Sequence, residues 1–141
     1  MKKILGLDFG DKRIGAAIAE KNLVASYGVI DNENLQEAIN EIGRICRAEQ
    51  VGKIVVGLPQ KHANRVAKDT YQLDKIHLFA HELSKNLQIP IDFVDETLTS
   101  KEAERLLAKS KNKKSKKFKE EIDKISAKLI LEQYLEKRSK V

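Results

Sequence analysis

Two apolar runs at the start of this chain, Ile4-Leu5-Gly6-Leu7 and Ile14-Gly15-Ala16-Ala17-Ile18-Ala19, are split by Asp8-Phe9-Gly10-Asp11-Lys12-Arg13. Both runs are too short for helices and are bounded by turn-forming residues, so they predict strand, tight turn, strand. The first then reads as a central strand that ends on a carboxylate. Burying an ionised acid there is costly unless a cation or several hydrogen bonds compensate it. Gly6 and Gly10 flank Asp8 and would leave room for a ligand to approach the backbone. The plainer reading is an Asp-Gly turn in an ordinary hairpin.

The rest of the pattern extends this hairpin into a mixed sheet. Strands are expected near residues 3–9, 13–19 and 23–30, joined by short turns and therefore antiparallel. From Asn34 to Gln50 the spacing of Leu35, Ala38, Ile39, Ile42, Ile45 and Cys46 is helical. Lys53–Pro59 reads as a buried strand, about Thr70–Asn86 as a second helix, and Pro90–Glu96 as a strand that also ends in acids. Thr99-Ser100-Lys101-Glu102 fits a capping box that opens a third helix through Leu106 and Leu107. A last helix is expected from about Lys119 to Lys137. Strands one, four and five are linked through helices and should be parallel, with right-handed crossovers. The expected fold is a single α/β domain over residues 1–141, a five-stranded mixed sheet with helices on both faces.

At 141 residues the chain can bury a core without staples, and its one cysteine, Cys46, excludes an intrachain disulfide. Cys46 sits on the apolar side of its helix, which predicts a core residue and not a nucleophile. No run approaches the length of a membrane span, so a soluble, cytoplasmic protein is expected. The net charge is +6, and the seven lysines from Lys109 to Lys119 more than account for it. A basic segment this local points to a polyanion such as nucleic acid. A solvated lysine-rich linker is the alternative.

Ligands in open α/β sheets bind beyond the carboxyl ends of parallel strands. Asp8 ends the first strand and Glu96 the fifth, which brings both to one edge. Asp123 lies in the first turns of the last helix, with Ala127 and Ile130 at i+4 and i+7, so it borders the apolar stripe. Its dull explanation is a favourable contact with the helix dipole. Three carboxylates without histidine or cysteine favour a hard cation, Mg²⁺ or Mn²⁺. Two such ions about 3.5–4 Å apart are a common arrangement for phosphodiester hydrolysis. Lys113, Lys114, Lys116 and Lys117, just before Asp123, could grip backbone phosphates, with Lys12 and Arg13 assisting.

Four stretches then carry a resemblance to a known family: Gly6-Leu7-Asp8-Phe9-Gly10-Asp11-Lys12-Arg13-Ile14-Gly15, Ile54-Val55-Val56-Gly57-Leu58-Pro59, Phe93-Val94-Asp95-Glu96-Thr97-Leu98-Thr99, and Ile122-Asp123-Lys124-Ile125-Ser126-Ala127 with Leu129–Leu135. In this order, across almost the whole chain, they resemble the YqgF (RuvX) family of Holliday-junction-resolvase-like nucleases with an RNase H-like fold. The resemblance implies a nuclease that trims the 5′ end of precursor 16S ribosomal RNA, with Asp8, Glu96 and Asp123 as metal-binding catalytic acids. Two departures fall near the expected substrate groove. Gln60–Val66 lacks the family's glycine-containing loop, and Thr97 replaces its usual arginine. Structured RNA is the expected partner, a DNA four-way junction the alternative.

Other candidates carry less. His77 and His81 have zinc-compatible spacing, but Leu78 stands where a catalytic glutamate would be, so a packing or surface pair is expected. Asp92 and Asp95 compete with Glu96, and a one-residue change of register would exchange Asp95 for Glu96. Arg13 could instead pair with Asp11 at the surface. An actin-like ATPase would need a duplicated domain, which this chain is too short to hold. A non-catalytic RNA-binding assembly factor would have no use for three acids beside its polyanion, where they would repel it.

Overall fold

The computed structural model describes residues 2–59, 66–96 and 115–139. Its elements run β1 (Lys3–Phe9), β2 (Arg13–Glu20), β3 (Leu23–Asp31), α1 (Leu35–Glu49), β4 (Val51–Pro59), α2 (Val66–Leu87), β5 (Ile91–Glu96) and α3 (Lys116–Ser139). The strands form one sheet in the order β3-β2-β1-β4-β5, with β1 at its centre. β1–β2 and β2–β3 are antiparallel, while β1–β4 and β4–β5 are parallel. The five-stranded mixed sheet expected from the apolar pattern is therefore the one observed. The helix expected to open at Thr99, and the loop at 60–65, lie outside the described residues.

Strand alternation assigns each residue to one of two helical layers. Leu5, Leu7, Ile14, Ala16, Ile54 and Val56 face α1 and α2, where they pack with Ile39, Ile42, Phe79 and Leu83. Ala17, Ala19, Val55 and Val94 face α3 and meet Ala127, Ile130, Leu131 and Tyr134. α1 starts where the Asn34 side chain accepts the Glu37 N–H at 3.0 Å and stops at Gln50 in the left-handed region, φ 57°. Cys46 is buried in the first layer, and burial pushes its thiol up to about 11, as expected of a core residue. Among the described residues no helix is long and apolar enough to cross a membrane.

α3 begins at Lys116, three residues before the expected start, so Lys116, Lys117 and Lys119 belong to a helix and not to a linker. Lysine is a good helix former, and composition alone hid this first turn. α3 crosses the sheet on a diagonal. Near its start Lys124 offers its carbonyl to Ser26 of β3, and near its end the Tyr134 hydroxyl donates to Asp92 of β5 at 2.5 Å.

Candidate active site

Small residues decide how α3 meets the sheet. A Cβ on Gly15 would lie 2.0 Å from the Asp123 carbonyl oxygen, and one on Gly6 would lie 2.4 Å from Leu131 Cγ. A Cβ on Gly10 would lie 2.5 Å from the Arg13 carbonyl oxygen. The space read from sequence as room for a ligand beside Asp8 is thus filled, by α3 at Gly6 and by the β1–β2 turn at Gly10. At Gly15 the missing side chain brings helix backbone onto strand backbone.

That approach brings two of the three expected acids together. Asp8 stands opposite Gly15 in the antiparallel register, and the Asp123 backbone rests on Gly15. Gly15 is thus the shared neighbour of both acids, beside Asp8 in the register and beneath the Asp123 backbone. Asp8 alternates with Gly6 and Ile4, so it belongs to the α3 face of the sheet.

Glu96 pairs with Pro59 at the end of β5 and shares the face of Asp92 and Val94. Those two residues meet Tyr134 and the α3 layer, so Glu96 takes the α3 face in the register. Asp95 takes the opposite face, with Phe93, whose ring meets His77 edge-on at 5.5 Å. Asp92 is engaged elsewhere, by Tyr134 and by Lys53 at 3.2 Å. Leu7, Val56 and Phe93 form one row across the sheet, with Asp8 one residue beyond it and Glu96 three residues beyond. By register Asp8 and Glu96 thus lie toward the carboxyl ends of β1 and β5, while α3 places Asp123 against β2. Among the described residues, no three His, Cys, Asp or Glu side chains converge as a metal cluster.

Arg13 has a different partner from the one sequence proximity suggested. Its Nε donates to Asp123 Oδ2 at 2.7 Å across 110 residues of chain, and Asp11 pairs instead with Lys75 of α2 at 2.9 Å. Both side chains of the Arg13–Asp123 pair are largely buried, 29% and 20% exposed. Burial pushes the Asp123 carboxyl above its ordinary range, and the Arg13 hydrogen bond opposes that shift. Asp123 is the eighth residue of α3, beyond the first turn where the helix dipole acts, so the dipole does not account for it.

Sequence reading missed Asn32. It is 7% exposed, its Nδ2 donates to the Gly10 carbonyl at 2.8 Å, and its backbone N–H donates to the Lys12 carbonyl at 2.9 Å. It ties the turn carrying Lys12 and Arg13 to the end of β3. The polar run Asp31-Asn32-Glu33-Asn34 gives no sign of which member is buried, so no local signal could single it out.

Beside the ion pair lies an open cavity of about 500 Å³. Lys12, Arg13, Lys116, Lys119 and Lys124 line it, against Asp31, Glu33 and Glu120. Lys12, Arg13 and Lys116 are three of the expected phosphate contacts. Lys117 is exposed but does not line the groove, and Lys113 and Lys114 lie outside the described residues. Among the described residues the acids placed here, Asp8 and Asp123, offer carboxylate oxygen, the donor type that suits a hard divalent cation, and the Arg13 guanidinium holds one of those oxygens.

Comparison with known proteins gives the family and the fold. The family model described as "RuvX: Holliday junction resolvase" matches residues 2–137. A protein of Caldanaerobacter subterraneus named "Putative pre-16S rRNA nuclease" is 36% identical over 136 residues, covering 95% of this chain and 96% of its own. A protein of Thermosynechococcus vestitus with the same name is 35% identical, covering 99% of this chain and 91% of its own. Among solved structures, T. thermophilus RuvC in complex with a Holliday junction substrate superposes with a TM-score of 0.53 at 12% identity, covering 96% of both chains. The fowlpox virus Holliday junction resolvase superposes at 0.50 with 12% identity, covering 96% of this chain and 99% of its own. The fold is thus that of the RNase H-like resolvases.

Proposed function

As a member of the RuvX family, this chain is, we propose, a divalent-metal-dependent endonuclease that hydrolyses phosphodiester bonds in the 5′-end maturation of precursor 16S ribosomal RNA. The reading is supported by the placement of Asp8 opposite Gly15 and of the Asp123 backbone against that same glycine, beside a lysine-lined groove. RNA is preferred to DNA because the relatives at 35–36% identity bear the rRNA nuclease name.

Asp8, Glu96 and Asp123 would hold the cations, Mg²⁺ or Mn²⁺. Two bound ions supply a nucleophile at neutral pH and charge stabilisation at the leaving oxygen. The chain's own residues hold and align the polyanion. Lys12, Lys116, Lys119 and Lys124 offer point charges that line the groove. Asn32 fixes the turn that carries Lys12, and packing of α3 on Gly6 and Gly15 fixes Asp123 against β2. Asp8→Asn tests the assignment. It should abolish cleavage while folding and RNA affinity in EDTA persist, and cleavage surviving in pure mutant protein would refute it.

A further inference from the structure

Arg13 lines the groove, and its cation is bonded to Asp123, a carboxylate of the proposed metal site. It therefore stands at the boundary between two functions, among the groove's lysines on one side and on Asp123 on the other. An arginine there is not equivalent to a lysine, since its planar guanidinium binds carboxylate and phosphate through the same donors. The Nε contact with Asp123 is 2.7 Å and the Arg13 side chain is 29% exposed, so the group keeps access to solvent.

A guanidinium and a divalent ion on the same carboxylate oxygens repel one another. Asp123 is 20% exposed, and its burial limits the water available to screen that repulsion. Moving Arg13 off Asp123 leaves it a cation in search of an anion, and phosphates would line the adjoining groove.

Resting on the nuclease reading above, we propose that Arg13 is an exchangeable counter-ion that holds Asp123 in the free protein and moves to a backbone phosphate when a divalent cation takes its place. Metal and nucleic acid then load the site together. By linkage each tightens the binding of the other by the same factor. A site without its polyanion is held closed to metal by its own arginine, which restrains metal loading until RNA is bound. Arg13 is in this account a positioning residue that acts through Asp123 and through the phosphate.

The test measures Mn²⁺ binding to the free protein by calorimetry, and binding of a 5′-leader RNA in EDTA and in Mn²⁺ at 4 °C with an uncleavable linkage. Wild type, Arg13→Gln, Arg13→Lys and Asp8→Asn are compared, each checked for folding by circular dichroism. Arg13→Gln should bind Mn²⁺ at least about fivefold more tightly than wild type, the lower end of ordinary coupling between sites. Its RNA affinity should be near wild type in EDTA, where the wild-type arginine is held by Asp123, and several-fold weaker in Mn²⁺. Arg13→Lys, which keeps the charge, should fall between the two proteins in Mn²⁺ affinity.

Unchanged or weaker Mn²⁺ binding in Arg13→Gln would overturn the exchange, as would an equal loss of RNA affinity with and without metal. If Arg13→Gln fails to fold, Arg13→Lys decides by the same Mn²⁺ comparison. Arg13→Gln that binds no Mn²⁺, or wild type that with RNA present binds it no better than Asp8→Asn does, would remove the nuclease reading itself and the exchange with it.

Discussion

A methyl group on Gly15 would sit 2.0 Å from a backbone oxygen that cannot rotate away, whereas on Gly6 it would meet only the Leu131 side chain. Gly15→Ala should therefore cost about 1–3 kcal/mol in a denaturant titration, as overpacked cores do, and Gly6→Ala less. Gly15→Ala should also lower activity more than its stability loss explains, because it pushes Asp123 away from Asp8. Equal effects of the two substitutions would mean that the close approach at Gly15 is not what positions the acid. Of the expected acids, Asp123 was legible because Ala127 and Ile130 placed it beside an apolar stripe. Its partner was not, since Arg13 lies 110 residues away and nothing in local spacing pairs them. The glycines were legible as close-approach positions, but a sequence does not say whether a ligand or a helix fills the space.

Among the elements, α3 is pinned at its far end by the Tyr134 hydroxyl on Asp92, with Lys53 completing the cluster. Tyr134→Phe should cost about 0.5–1.5 kcal/mol, the net worth of a hydrogen bond to a charged group at a partly exposed site. The Tyr134 hydrogen bond, helped by Lys53, holds the Asp92 carboxyl below its ordinary value. A depressed carboxylate stabilises the fold above its unfolded pKa of about 3.9, and that contribution is lost as pH falls through the lower folded value. Wild type should accordingly lose more stability on acidification below pH 4 than Tyr134→Phe, by a small margin because Asp92 is 43% exposed. Identical acid melts would show that the cluster does not stabilise the helix. The strands were legible in their apolar runs, and so was the central place of β1. The start of α3 was not, because lysine-rich composition reads as loop while lysine itself is neutral to good in a helix.

For the whole molecule, charge is concentrated where the chain's two ends of sequence meet. The turn carrying Lys12 and the first turns of α3 face one another across a groove near Asp123. Each lysine that neutralises a phosphate releases counterions, so affinity should fall linearly with log salt at about 0.7 per contact on single strands. Lys12→Gln with Lys119→Gln should weaken RNA binding across sequences and flatten that slope by roughly 1.4, measured by filter binding from low to physiological salt. An unchanged slope would place the polyanion elsewhere. The parallel sense of β1, β4 and β5 followed from the helical crossovers, but the groove joins residues more than a hundred positions apart and only the folded chain reveals it.

The most direct test of the account is cleavage of a precursor 16S rRNA 5′-leader RNA, beside a synthetic four-way DNA junction, in Mg²⁺, Mn²⁺ or EDTA, by wild type and Asp8→Asn. Wild type should cut the RNA only when Mg²⁺ or Mn²⁺ is present, and Asp8→Asn should not cut it under any of the three conditions. Binding of either nucleic acid without cutting, alike in both proteins, would contradict the account and leave an RNA-binding assembly factor in its place.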